Sequence, residues 1–135
     1  MTKGLKIVEI ARRHLGERYQ LGARVPKDNA AWKEPWDCAE FASWCLFQVS
    51  EQLYGCSNNS TNPSIADAYS GFWQRDAKNI GRAVTASIAA ATPGAFVVRF
   101  PSANLIGHVA ICAGQDETIK AHSMATGVIK SKVSG

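Results

Sequence analysis

Four cysteines and three histidines carry the nucleophilic and acid–base chemistry available near neutral pH, and Cys38 has the most informative neighbours. Asp37-Cys38-Ala39-Glu40 reads as a helix start. Asp37 suits the N-cap, and Glu40 three residues later completes a capping-box pattern. Cys38 then takes the first helical position, where unpaired backbone N–H groups and the positive dipole end favour a thiolate. Such surroundings lower a cysteine pKa from about 8.5 to roughly 3.5–7.5. The competing role is structural, because Cys38 also begins an apolar stripe shared with Phe41 and Cys45. Cys45, Cys56 and Cys112 read as small buried hydrophobes, a Cys45–Cys56 bridge being the lesser alternative. No Cys-x-x-Cys pair suggests a zinc or dithiol site. Four cysteines in 135 residues are too few for a disulfide-built scaffold.

A cysteine nucleophile needs a base, and the base needs an orienting group. His14 falls on the apolar face of the first helix, where a satisfied boundary histidine is expected. His108 opens the strand His-Val-Ala-Ile-Cys, and His122 closes Thr-Ile-Lys-Ala-His. Gly114-Gln115-Asp116 between them reads as a three-residue hairpin loop. Pairing Ala113 with Glu117 then sets His108 opposite His122 across an antiparallel ladder, with Cβ atoms ~4.5–5.5 Å apart. A slip of one residue would send one ring to the other face of the sheet. In this register His108 is the base, and His122 holds its second nitrogen. Two unrelated surface histidines are the alternative.

These residues need two helices and a sheet to bring them together. Ile7, Ile10, Ala11, His14 and Leu15 predict a helix over about 3–15, ended by Gly16. Residues 17–36 read as loop. Phe41, Ala42, Cys45, Leu46, Val49 and Leu53 mark a second helix from Cys38, stopped by Gly55. Asn62-Pro63 opens a short helix over 64–69, and the Ala-rich 83–91 segment favours helix by propensity. Strands are expected at 96–100, 108–112, 118–122 and 128–132. Helices first and antiparallel strands afterwards predict an α+β domain.

The chain's 46% apolar and 19% charged residues fit one globular domain over 1–135 and exclude wholesale disorder. No apolar run reaches the ~18–20 residues of a membrane span, and no signal peptide is visible. The net charge of +4 mildly favours anionic partners. No nucleic-acid motif accompanies it.

Five segments together resemble the NlpC-type cell-wall cysteine peptidases, a branch of the papain-like fold. They are Arg18–Gly22, Trp36–Phe41, Thr92–Val98, Gly107–Ile111, and Ile119–Ser123 with Gly127-Val128. Trp36–Leu46 is also similar to the CHAP-type amidohydrolases. The resemblance implies N-terminal helices packed on a C-terminal antiparallel sheet, with a final strand of the family sheet expected to be missing. It implies Cys38 as nucleophile, His108 as general base and His122 as the polar residue that orients it. Tyr19 matches a tyrosine near the nucleophile, and Asp37 an acid that binds the amino terminus of a stem peptide. A packed loop tyrosine and a plain N-cap are the respective alternatives. Ala39-Glu40 and Ala95 depart from the usual Ser-Gly and Asp, and Glu40 either reaches the cleft rim or closes the capping box.

The implied activity is a peptidoglycan hydrolase. It would cut the D-glutamyl–diamino acid bond of stem peptides through a thioester, without metal or cofactor. A CHAP-type N-acetylmuramoyl-L-alanine amidase or cross-bridge peptidase is the alternative within enzymes. A non-catalytic wall-binding module is the alternative outside them. A thiol acyltransferase of the lipid-modifying relatives would place His before Cys, contrary to the order here. The expected partner is bacterial peptidoglycan, with an immunity or inhibitor protein if the chain is an injected toxin. A monomer acting in the cell wall or periplasm is expected, from a phage, an effector or a larger wall enzyme.

Overall fold

The apolar stripe of residues 38–49 winds into the helix it predicts, and the rest of the molecule is built around it. The structure, a computed structural model, describes residues 1–99 and 107–133. Its elements are α1 (Lys3–Arg12), α2 (Cys38–Ser50), α3 (Ser70–Asn79), α4 (Ala86–Ala91), β1 (Phe96–Arg99), β2 (His108–Gly114), β3 (Glu117–Ser123) and β4 (Gly127–Lys132). The four strands form one antiparallel sheet in the order β1-β2-β3-β4. The expected α+β architecture of helices packed on a later antiparallel sheet is present. Phe100, expected at the end of the first strand, lies outside the described residues. Among the described residues no helix is long and apolar enough to cross a membrane.

Two apolar clusters hold α2 in place. Ile7, Val8 and Ala11 of α1 meet Phe41, Trp44 and Cys45 of α2 over Ile111, Ile119, Ala121 and Val128 of the sheet. Burying the Ile, Val and Phe side chains among them contributes roughly 1.5–3 kcal/mol each. Ala39 and Ala42, on another side of α2, pack with Cys56, Ala66, Ala68, Trp73 and Val109. All four cysteines are free and buried.

Several boundaries differ from the sequence reading. α2 ends a turn early: Glu51 adopts the left-handed conformation (φ 58°) and its N–H bonds Phe47 O at 2.8 Å. Gly55 therefore does not stop the helix, and Leu53 lies beyond it. Gly55 has φ 73°, and a side chain there would run into the Trp73 indole. No helix forms over 64–69; α3 begins at Ser70 instead. Tertiary contacts support α3. Trp73 stacks between Tyr54 and Phe96, with ring centroids 4.7 and 4.6 Å away, and donates to Ser43 Oγ at 3.0 Å. Asp76 accepts from Gly55 N (2.8 Å) and Asn59 Nδ2 (2.7 Å). The Ala-rich helix is present but shorter, capped by Thr85, whose hydroxyl accepts from Ile88 N.

The β2–β3 turn is tighter than expected. Gly114 pairs with Glu117, leaving Gln115 (φ 54°) and Asp116 (φ 66°) as the two turn residues. Positive φ at both positions matches the twist of a two-residue hairpin turn. An irregularity between Cys112 and Gly114 absorbs Ala113. Beyond it, Cys112↔Thr118 and Ile111↔Ile119 have the expected register, and the His108 and His122 rings come into edge contact further along the two strands.

Candidate active site

Cys38 stands at the first position of α2, and its helix start is made as the residue types require. Asp37 has extended backbone, and its Oδ1 accepts from Glu40 N at 2.7 Å. Only half of the expected capping box forms. The Glu40 side chain turns inward, where its carboxylate accepts from Lys27 Nζ (2.7 Å), Val25 N (2.8 Å) and Ala68 N (2.8 Å). Lys27 Nζ also donates to Val25 O and Ala66 O, and both side chains are 0% exposed. Glu40 thus serves neither the box nor the cleft rim. It pins the loops around Val25 and Ala66–Ala68 to the first turn of α2.

The thiol lies against the backbone on either side of His108. Cys38 Sγ is 4.0 Å from Gly107 O, and the Val109 N–H pulls its pKa downward. The N–H groups of Cys38 and Ala39 act in the same direction, as a helix N-terminus should. Burial outweighs them, and with Asp37 adding to it, the thiol is pushed up to about 11. The expected lowering of the thiol pKa is therefore overturned by desolvation. His108 is driven the other way, down to about 4, first by burial and then by Lys120, Arg99 and His122. In this environment both groups are neutral at pH 7. His108 Nε2 is buried without a hydrogen-bond partner; Thr118 Oγ1 is the other such atom among the described residues.

Tyr19, Arg99, Gly107, His108, Lys120 and His122 line a cleft of about 150 Å³. A larger hollow of about 260 Å³ lies between α1 and α2, but its lining holds neither cysteine nor histidine. Arg99 is the cross-strand partner of His108. The His108 and His122 rings meet edge to face, 6.0 Å between centroids and 85° apart, without a hydrogen bond between them. His122 is exposed and sits where the β3–β4 register shifts, between Ala121 and Ser123.

Tyr19 reaches the cleft because Gly16 N and Val128 N exchange bonds with Val128 O and Glu17 O, fixing its loop to β4. Gly127 permits this approach: φ is 68°, and a side chain would strike Glu17 O. Burial, with Cys38 and Asp37 nearby, raises the Tyr19 phenol to about 12. Burial likewise raises the Asp37 carboxyl to about 7.

His14 is accounted for elsewhere. Its Nδ1 bonds the Glu17 carboxylate at 2.9 Å, and its ring packs edge-on against Trp36, Phe41 and Trp44. Among the described residues no group of His, Cys, Asp and Glu is arranged to hold a metal ion.

The sequence reading did not include Arg99 and Lys120 among the site residues. Lys120 was within its reach, because a strand residue two positions from His122 shares its face.

Comparison with known proteins identifies the family and the fold. The family model of the CHAP domain matches residues 29–124, from the loop before α2 through β3. The chain belongs to the CHAP domain family. It is by that membership a cysteine-peptidase-type enzyme, a peptidoglycan hydrolase. Among solved structures, the NlpC/p60 domain of the peptidoglycan hydrolase SagA superposes with a TM-score of 0.63 at 21% identity, over 97% of this chain and 90% of that one. NlpC1 from Trichomonas vaginalis gives a TM-score of 0.62 at 16% identity, over 97% of this chain and 39% of its own. NlpC2 from the same organism gives 0.59 at 14%, over 98% and 43%. At these identities the likeness concerns the fold, which is the NlpC-type papain-like fold. No curated protein matches the sequence significantly.

Proposed function

We propose that this CHAP-family hydrolase cleaves the stem peptide of peptidoglycan at the D-glutamyl–diamino acid bond, with Cys38 as nucleophile and His108 as general base. One observation carries the assignment: the Cys38 thiol touches the backbone flanking His108, whose buried Nε2 lacks a partner. An unpaired buried nitrogen is costly, so a native one calls for an explanation. A base awaiting a proton supplies it.

Because both groups rest neutral, no preformed thiolate–imidazolium pair attacks. The sulfur adds to the scissile carbonyl carbon while its proton passes to His108. The N–H groups at the start of α2, those of Cys38 and Ala39, receive the oxyanion. His108 then returns the proton to the leaving amine, and water hydrolyses the thioester with His108 again as base. His122 contacts the edge of the base and limits its rotation. Tyr19 and Asp37, the latter at the mouth of the α2 N-terminus, bind the substrate's amine end.

Amide cleavage between sugar and peptide, or in a cross-bridge, is the second reading, favoured by the CHAP model match over residues 29–124. Digestion of purified sacculi followed by mass spectrometry of the fragments separates them. New D-glutamate carboxyl termini support the first reading. Free lactyl groups on the sugar, or cut cross-bridges with intact stems, replace it with the second.

A further inference from the structure

We propose that the cleft at His108 selects a substrate bearing a free carboxylate beside the scissile amide, with Lys120 as the residue that binds it and Arg99 as a second positive charge. This deepens the hydrolase reading and rests on it. None of the six residues lining the cleft is acidic, and two are cations. They reach it from different strands: Arg99 lies across from His108 on β1, and Lys120 lies on β3, two residues before His122. The half-buried Lys120 forms no ion pair among the described residues.

Its surroundings disfavour its charge. Burial and the neighbouring Arg99 both lower the Lys120 pKa, and Cys38 is the group that acts the other way. An ammonium held against a second cation, in a cleft whose six lining residues include no acid, is stabilised when the ligand brings an anion. The Lys120 charge reaches the thiol, so that anion lies close to the attacked carbonyl. Carboxylates are the anions carried by amino acids next to peptide bonds.

The test uses two pairs of synthetic stem peptides, identical except that one carboxylate is replaced by a carboxamide. One pair changes the D-glutamyl residue and the other changes the diamino acid. For at least one pair, the wild-type chain should cleave the acid with kcat/KM about tenfold or more above the carboxamide, as expected for a hydrogen bond to a charged group. Lys120→Gln should bring that ratio towards one by slowing the acid form far more than the carboxamide. Lys120→Arg should restore most of the preference.

Calorimetric binding to the full-length Cys38→Ala chain separates recognition from turnover. If neither peptide is cut but the acid binds more tightly, and this depends on Lys120, the carboxylate site stands and the bond assignment fails. Equal wild-type rates and affinities in both pairs, or an unchanged ratio in Lys120→Gln, overturn the inference.

Discussion

Two groups of charged side chains flank the first turn of α2, and they are built in opposite ways. On one side, Lys27 and Glu40 are fully buried, paired at 2.7 Å, and bonded to four backbone groups of residues 25, 66 and 68. Each donor has an acceptor. On the other side, His108 keeps a buried nitrogen without a partner, and Lys120 and Arg99 add positive charge to an open cleft. The first group spends its hydrogen-bonding capacity inside the protein; the second keeps part of it for another molecule. That difference separates a structural ion pair from a reactive site better than residue type does, because both groups contain ionisable side chains beside the same helix.

The contrast breaks if variants on the two sides have the same phenotype. The largest effect should follow from His108→Asn. An amide cannot take the thiol proton, so turnover on sacculi should fall about 10²–10⁴-fold, the range for a general base. The melting temperature should stay close to wild type. His122→Asn should retain appreciable activity, because an amide can still pack against the base, whereas His122→Ala should lose more. If His122→Asn is as inactive as His108→Asn, His122 takes part in proton transfer or substrate binding.

Glu40→Ala should show the reverse pattern. Removing one member of a buried pair typically costs about 3–5 kcal/mol, more than the ~0.5–2 kcal/mol of a lost cap. Urea unfolding should register that loss, while the folded fraction keeps its turnover per site. A hundredfold loss of turnover with unchanged stability would place Glu40 in the chemistry and erase the contrast.

The smallest effect is in pH dependence. His108 must be neutral to act, and its pKa is lowered to about 4. In Asp37→Asn, which keeps the cap and removes the carboxyl raised to about 7, kcat/KM should therefore rise through pH 4 and flatten by about 6, instead of falling below 6.5 as for an unperturbed imidazole. Stability has a matching sign: between 6.5 and 4 the unfolded chain binds the His108 proton more readily, so stability falls as pH falls. An acid limb near 6.5 that persists in Asp37→Asn would show that burial and the nearby cations do not control the base.

The local chemistry was legible in the sequence because it depends on neighbours along the chain. The Asp37 cap, the placement of Cys38 at the first position of α2, the apolar stripe of residues 38–46 and the antiparallel strands follow from 3.6- and 2-residue periods. The register from Thr118 to Ile119 survived even though the loop was one residue shorter than expected, because Ala113 was absorbed next to the turn. What spans the chain was decided only in three dimensions. Nothing near Glu40 in sequence announces Lys27, 13 positions away, or Ala68, 28 positions away. α3 forms from residues of modest helix propensity because Trp73 and Asp76 find partners in other segments. The thiol's ionisation was misjudged for the same reason: a helix N-terminus is visible in a sequence, whereas desolvation depends on what the remaining chain packs around the sulfur.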